Sequence, residues 1–156
     1  MRLVPSGSIM TESTTSLVFP DVNVWLALSS PDHQHFSTAW IWYRALPDQA
    51  VLTFCRFTQL GFLRLLTTQS VMGQGTLTQR QAWDAYDRWL EAAGAQLSEE
   101  PAELEFIFRS LTGAQQASPK EWADAYLGAF SLAAGMTLVT FDRALAGKVD
   151  GALLLS

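Results

Sequence analysis

The carboxylates of Asp21, Asp124 and Asp142 are the side chains of this sequence whose placement could do chemistry. Asp21 and Asn23 stand two positions apart in the stretch SLVFPDVNVWLALSS, directly after an apolar run that ends in Pro20. Asp142 follows the apolar run TLVTF in the same way. In an open parallel α/β sheet, sites form beyond the carboxyl ends of the strands, and both acids take such positions. Each has a second reading, because Asp at a strand-to-helix turn commonly caps the helix that follows. Asp124 lies in EWADAYLGAFSLAAGM, where nearly every later residue is apolar or small, so that helix is expected to be buried on most sides. A buried carboxylate is costly unless it is paired, hydrogen-bonded or bound to a metal. The other readings of Asp124 are a salt bridge to Arg, or a place near solvent in the first turns.

Acids converging on one end of a sheet suggest a cation. Oxygen ligands select hard ions, Mg2+ or Mn2+, rather than zinc, and the chain offers no Cys/His ligand cluster. An ion held by carboxylates lowers the pKa of a water and stabilises charge on a phosphodiester, which is nuclease chemistry. His33 and His35, in DHQH, are expected at a solvated helix start without a catalytic role. Cys55, the single cysteine, lies in AVLTFC and is expected to be a small core residue rather than a reactive thiol. One cysteine excludes an intramolecular disulfide, and no signal-peptide pattern opens the chain, so a reducing cytoplasm is the expected location.

The elements that must position these acids follow from periodicity. Short apolar runs alternate with longer segments of helical period, the pattern of βα units around a parallel sheet. SLVF, AVLTF and TLVTF read as strands, with AQL and ALLL as short further ones. NVWLALS opens a helix that turns Val24, Trp25 and Leu28 inward, and Phe36, Ala39, Trp40, Tyr43 and Leu46 recur at helical spacing in a second. RFTQLGFLRLLT and AELEFIFRSL are helical, and VMGQG reads as a loop. Thr78 with Gln81 predicts a capping box for a helix that closes at Gly94, with Trp83, Tyr86 and Leu90 as its apolar stripe. Ser118 as N-cap, Pro119 at the first helical position and Glu121 predict another helix start. The expected architecture is an α/β three-layer sandwich with a mostly parallel central sheet of four or five strands.

At 156 residues, 49% hydrophobic and 16% charged, the chain fits one domain with a sizeable core, and no apolar run approaches the roughly 18 residues of a membrane span. The opening MRLVPSGSIM contains LVPSGS, which resembles a protease-site linker, so residues 1–12 are expected to stand outside a single domain of residues 13–156. Six Trp and nine Phe exceed the needs of a small core. An apolar surface bearing Trp40, Trp42 and Tyr43, or Trp83 and Trp89, is therefore expected to meet a partner.

In this order, VFPDVNVWLALSSPDHQHFSTAWIW, FTQLGFLRLLT and WADAYLGAFSLAAGMTLVTFDRAL resemble the PIN-domain ribonucleases, in particular the VapC-type toxins of bacterial toxin–antitoxin pairs. The likeness runs from about residue 16 to the end. It implies a metal-dependent endoribonuclease that cleaves single-stranded or loop RNA with Mg2+ or Mn2+, leaves 5′-phosphate and 3′-hydroxyl ends, pairs with a small antitoxin and forms a homodimer. By the same resemblance Asp21, Asp124 and Asp142 are the metal ligands, and Asn23 orients a carboxylate or a metal-bound water through its amide. Thr140 takes the place of a hydroxyl beside the site, although a β-branched strand residue there needs no such role. Many relatives carry Glu where this chain has Gln59, a change that keeps shape and a carbonyl oxygen but removes a charge. Arg64, on the same predicted helix, is read as a contact to a substrate phosphate, a support for Asp124 or Asp142, or a plain surface cation. A net charge of −5 argues against a broad basic face, so RNA contacts must be local and metal-assisted. The rival readings are a PIN-like binding module weakened by Gln59, and a receiver-like phosphoacceptor. The second expects a Lys at the end of a late strand, whereas Lys148 falls in the loop-like AGKVDG.

Overall fold

Five strands carry the fold: β1 (Ser16–Pro20), β2 (Ala50–Phe54), β3 (Gln96–Leu97), β4 (Thr137–Thr140) and β5 (Leu153–Leu154). They lie in the order β3-β2-β1-β4-β5, and every neighbouring pair is parallel. The structure is a computed structural model and describes residues 15–156. The expectation for residues 1–12 lies outside the described residues. Between the strands run α1 (Val22–Ser29), α2 (Phe36–Arg44), α3 (Arg56–Leu66), α4 (Gln69–Met72), α5 (Gln79–Ala92), α6 (Leu104–Leu111), α7 (Glu121–Ala134) and α8 (Arg143–Lys148).

Alternation along the strands divides the core. Val18, Leu52, Phe54 and Val139 point to one face, where they meet Trp25, Phe62, Leu66 and Tyr86 of α1, α3 and α5. Their sequence neighbours Phe19, Cys55 and Leu138 point to the other face, against Leu104, Leu127, Phe130 and Leu145 of α6, α7 and α8. Helices on both faces of a parallel sheet make the expected three-layer sandwich. The connections after β1 and β2 cover the first face and those after β3 and β4 the second, so the chain reverses sides at the junction of β1 and β4. That junction is the switch point at which open α/β sheets place their ligands.

Local chemistry sets several boundaries. The Gln81 N–H donates to Thr78 Oγ1 at 3.2 Å and the Thr78 N–H to Gln81 Oε1 at 2.9 Å, so the capping box forms. Gly94 and Gly135, each with φ +66°, end α5 and α7 in the left-handed region open to glycine. Gly61 lets α1 and α3 approach: a Cβ there would lie 2.8 Å from Val22 Cγ2 and 3.3 Å from Cγ1. With both methyls of a β-branched side chain in the way, no rotamer of Val22 clears it. Gly61→Ala is expected to cost about 1 kcal/mol, overpacking outweighing the better helix propensity of Ala. In a Val22→Ala background the same change should be neutral or stabilising, which a pair of thermal melts reads as a change of sign.

Elsewhere the structure departs from the sequence reading. The VMGQG segment is not an open loop but α4 followed by a 3-10 turn at Gly73–Gly75. In α5 the buried stripe is Ala82, Ala85 and Tyr86, while Trp83 is 48% exposed. α7 begins at Glu121 with no side-chain cap, and Ser118 contributes its backbone carbonyl to the Glu121 N–H instead. The AGKVDG segment is partly helical, and Lys148 is the last residue of α8. Trp40, Trp42, Tyr43 and Trp89 are half-buried and pack against the first core, with Trp40 Nε1 donating to the Leu28 carbonyl and Trp89 Nε1 to Ser29 Oγ. Of the aromatics expected at the surface Trp83 is exposed, and the other exposed apolar side chains include Phe57 and Leu60 on α3 and Phe106 and Trp122 on α6 and α7. No helix among the described residues is long and apolar enough to cross a membrane.

Candidate active site at the ends of β1 and β4

Asp21 is the first residue past β1, and its backbone N–H still bonds the Val139 carbonyl of β4 at 2.9 Å. That bond fixes it at the switch point. Its backbone is extended, its Oδ1 accepts from the Val24 N–H at 3.1 Å, and it thereby caps α1. Thr140, fully buried at the end of β4, donates its hydroxyl to Asp21 Oδ2 and accepts from the Asp142 N–H at 2.9 Å. One hydroxyl thus links the Asp21 carboxylate to the Asp142 backbone. Asp142 is exposed, and its Oδ1 accepts from the Ala144 and Leu145 N–H groups at 2.8 and 3.1 Å as the N-cap of α8. Both acids are caps, as their simpler reading required, and both stand at the same strand ends.

Asp21 is 5% exposed, and burial pushes its carboxyl above the usual carboxylate range. Bonds from Thr140, Val24 and Asn23 pull the other way, and the charge of Asp142 pushes it further up. The pair is therefore electrostatically frustrated: a poorly solvated anion with a second acid close enough to be felt. A cation relieves both costs.

The remaining candidates sit differently from what the sequence implied. Asp124 is half-buried rather than enclosed, because the buried part of α7 begins at Leu127. Its Oδ2 pairs with Lys148 Nζ at 3.0 Å, not with an Arg, and the same ammonium is 2.8 Å from Glu121 Oε2. Among the described residues no three His, Cys, Asp or Glu side chains are grouped closely enough to hold a metal in this arrangement. The side chain of Asn23 is exposed, and it is its backbone N–H that serves the Asp21 carboxylate. Gln59 is buried, with Oε1 accepting from the Arg56 guanidinium at 2.6 Å and its side chain close enough to the Tyr86 hydroxyl to influence it. Arg64 is exposed and forms no ion pair with Asp124 or Asp142; with Asn23, Phe57, Leu60 and Trp83 it lines a groove of about 750 Å3.

The histidines do stand at a helix start, with His35 at the N-cap position of α2, but both are half-buried rather than fully solvated. His35 stacks on Phe141 with ring centroids 4.3 Å apart, its backbone N–H donates to His33 Nδ1, and burial holds the His33 imidazole below its ordinary range. Phe141 stands between Thr140 and Asp142, so the pair supports the wall of the site. Cys55 is a core residue whose thiol burial pushes up. Sequence reasoning weighed Lys148 only as a receiver-type lysine and missed both its pairing with Asp124 and the stacking of His35 on Phe141. Both are contacts between segments far apart in the chain, and no local pattern announces them.

Known proteins resemble this chain in sequence and in the fold described above. A family model described as PIN domain matches residues 18–150. Over 132 residues the chain is 42% identical to Ribonuclease VapC41 of Mycobacterium tuberculosis, covering 80% of this chain and 88% of the relative. Among solved structures, VapC20 of Mycobacterium tuberculosis, described as a sarcin-ricin loop cleaving toxin, superposes with a TM-score of 0.61 at 18% identity, covering 85% of this chain and 94% of that one. VapBC2 of Rickettsia felis, solved bound to a DNA fragment from their promoter, gives 0.62 at 11% identity over 90% of this chain and 99% of that one. At such low identity the two structures speak to the fold, whereas the family model and the 42% relative speak to descent. The chain belongs to the PIN-domain family.

Proposed function

We propose that this chain, an endoribonuclease of the VapC toxin type, works with Mg2+ or Mn2+ held at the carboxyl ends of β1 and β4. The observation that carries the reading is the buried Asp21 carboxylate, linked through Thr140 to the Asp142 backbone and raised in pKa by burial and by the Asp142 charge. The donors fit a hard cation: all are oxygens, and Mg2+ is commonly held by one or two carboxylates with water filling the other positions. In this reading Asp21 and Asp142 are the first two ligands, supported by their link through Thr140, and Asp124 is the third candidate ligand, its carboxylate resting on Lys148. A cation bound there supplies a water of lowered pKa and charge to set against the phosphodiester. Thr140 fixes the orientation of Asp21, and the Asp142 cap fixes that acid on α8. Arg64 and Asn23, in the neighbouring groove, bind the RNA backbone, the local contact that a chain of net charge −5 requires. Gln59 acts at one remove, holding Arg56 and standing close to Tyr86 rather than to the acids.

As partners we assign single-stranded or loop RNA, a small antitoxin protein and a second copy of the chain, and as location the cytoplasm. The exposed Phe57, Leu60 and Trp83 beside the groove, and Phe106 and Trp122 on the other layer, offer apolar surface for protein contacts. Cleavage of a structured RNA should stop in EDTA and return with Mn2+ or Mg2+. Undiminished cleavage in EDTA would defeat the metal reading. No cleavage with either ion would favour the binding module instead.

A further inference from the structure

Asp124 is not grouped with Asp21 and Asp142 in a metal-holding cluster among the described residues, and its carboxylate rests on Lys148 instead. The Lys148 Nζ lies 3.0 Å from Asp124 Oδ2, and Asp124 has no other side-chain bond among the described residues. The same ammonium is 2.8 and 2.9 Å from the two carboxylate oxygens of Glu121, one turn earlier on α7. Lys148 closes α8, the helix that Asp142 opens. A single short helix therefore presents one acid of the site at its start and a cation for another acid at its end.

We propose that Lys148 is a positioning residue of the metal site: its ammonium stands in for a cation on Asp124 and keeps that carboxylate apart from Asp21 and Asp142 until a divalent ion takes its place. This rests on the reading of Asp21 and Asp142 as the metal pair. Glu121 makes the exchange reversible, because the ammonium released by Asp124 keeps a partner and is not stranded. The pair is also partly open to water, with the Lys148 side chain 37% and the Asp124 side chain 25% exposed, so the contact is weak enough for a divalent ion to displace. Metal binding by this chain then includes breaking the Lys148 contact, and removing Lys148 strengthens binding mainly through Asp124, beyond the general loss of a positive charge.

A double-mutant cycle read by calorimetric Mn2+ titration without RNA tests this. Lys148→Met is expected to tighten Mn2+ binding, by a factor about two- to fivefold greater when Asp124 is present than in an Asp124→Asn background, where only the general loss of a positive charge remains. An equal gain in both backgrounds, or no gain in either, overturns the proposal. Circular dichroism confirms folding, and Lys148→Gln replaces the Met variant if that one fails to fold. Asp21→Asn serves as the separate arm. If it leaves Mn2+ binding unchanged, or if native protein takes up no Mn2+, the metal reading itself falls. If it weakens binding while the cycle shows no coupling, only the role of Lys148 falls.

Discussion

Asp21→Asn is expected to abolish RNA cleavage and, in the absence of metal, to make the protein more stable. Loss of the activity follows from the position of the carboxylate, which is the most buried acid of the site and joins Thr140 to the start of α1. Outer supports of metal sites commonly cost 10- to 100-fold when removed, so loss of a ligand should exceed about a hundredfold. The stability gain has the opposite origin. Burial raises the Asp21 pKa in the folded chain, and the bonds from Thr140, Val24 and Asn23 do not offset it. Between the ordinary carboxylate value and the raised one, the folded protein holds a proton that the unfolded chain has released. Stability therefore falls as pH rises through that window, and the full penalty is present above the folded-state value. Asn has no charge to desolvate and keeps an oxygen for the Val24 N–H, so the cap survives. At neutral pH with chelator the variant should melt higher, by about 2–4 °C for each kcal/mol of penalty removed. At pH below the ordinary carboxylate range the difference should vanish. At subsaturating metal, native cleavage should fall off on the acid side, because protonation of Asp21 competes with the cation. A variant that melts lower than native protein at neutral pH would make Asp21 a net stabiliser and remove the electrostatic argument for the cation.

What the sequence could and could not convey divides along contact distance. Strands were legible because alternation and β-branched runs act locally: SLVF, AVLTF and TLVTF each became strands, and even the two-residue β3 and β5 were foreshadowed by AQL and ALLL. The Thr78–Gln81 box was legible because its partners are three residues apart. The Ser118, Pro119, Glu121 pattern is just as local, yet its Glu side chain goes to Lys148, 27 positions later, and the cap is not made. Asp124 reads as buried from the apolar run that follows it, but the enclosed part of α7 begins a turn later. The link from Thr140 to Asp21 spans 119 positions, and only the family resemblance, which put a hydroxyl beside the site, pointed toward it. The aromatic surplus was real, but Trp40, Tyr43 and Trp89 meet one another and Trp25 across three helices, a fit that no composition reveals.

The helix that carries Asp21 is pinned by Trp25, and replacing that residue should give the largest loss of stability in the chain. Trp25 is fully buried, stacked on Phe54 with ring centroids 3.7 Å apart, and meets Trp89 edge-on at 5.4 Å. Its backbone N–H bonds the Asp21 carbonyl at 3.2 Å, so the same residue closes the first turn of α1 and fastens it to the sheet. Trp25→Ala should cost about 3–5 kcal/mol, since the hole left between β2 and α5 cannot collapse against a parallel sheet. That is a large fraction of the roughly 5–15 kcal/mol by which domains are stable, so at 37 °C the variant should be partly unfolded and its cleavage reduced in proportion. Cooling should restore both together, whereas a catalytic defect would persist at low temperature. Trp25→Phe separates two contributions within this site. The phenyl ring keeps the stack on Phe54 and leaves a smaller gap, and it removes the indole Nε1–H, the buried side-chain donor among the described residues that lacks a protein partner. An unpaired buried donor costs about 1–3 kcal/mol, which offsets much of the lost packing. Urea denaturation should therefore place Trp25→Phe less than about half as far from native as Trp25→Ala, with cleavage at 37 °C retained. Equal losses for Phe and Ala would mean that the full indole outline, and not the ring stack, holds α1 and with it Asp21 in place.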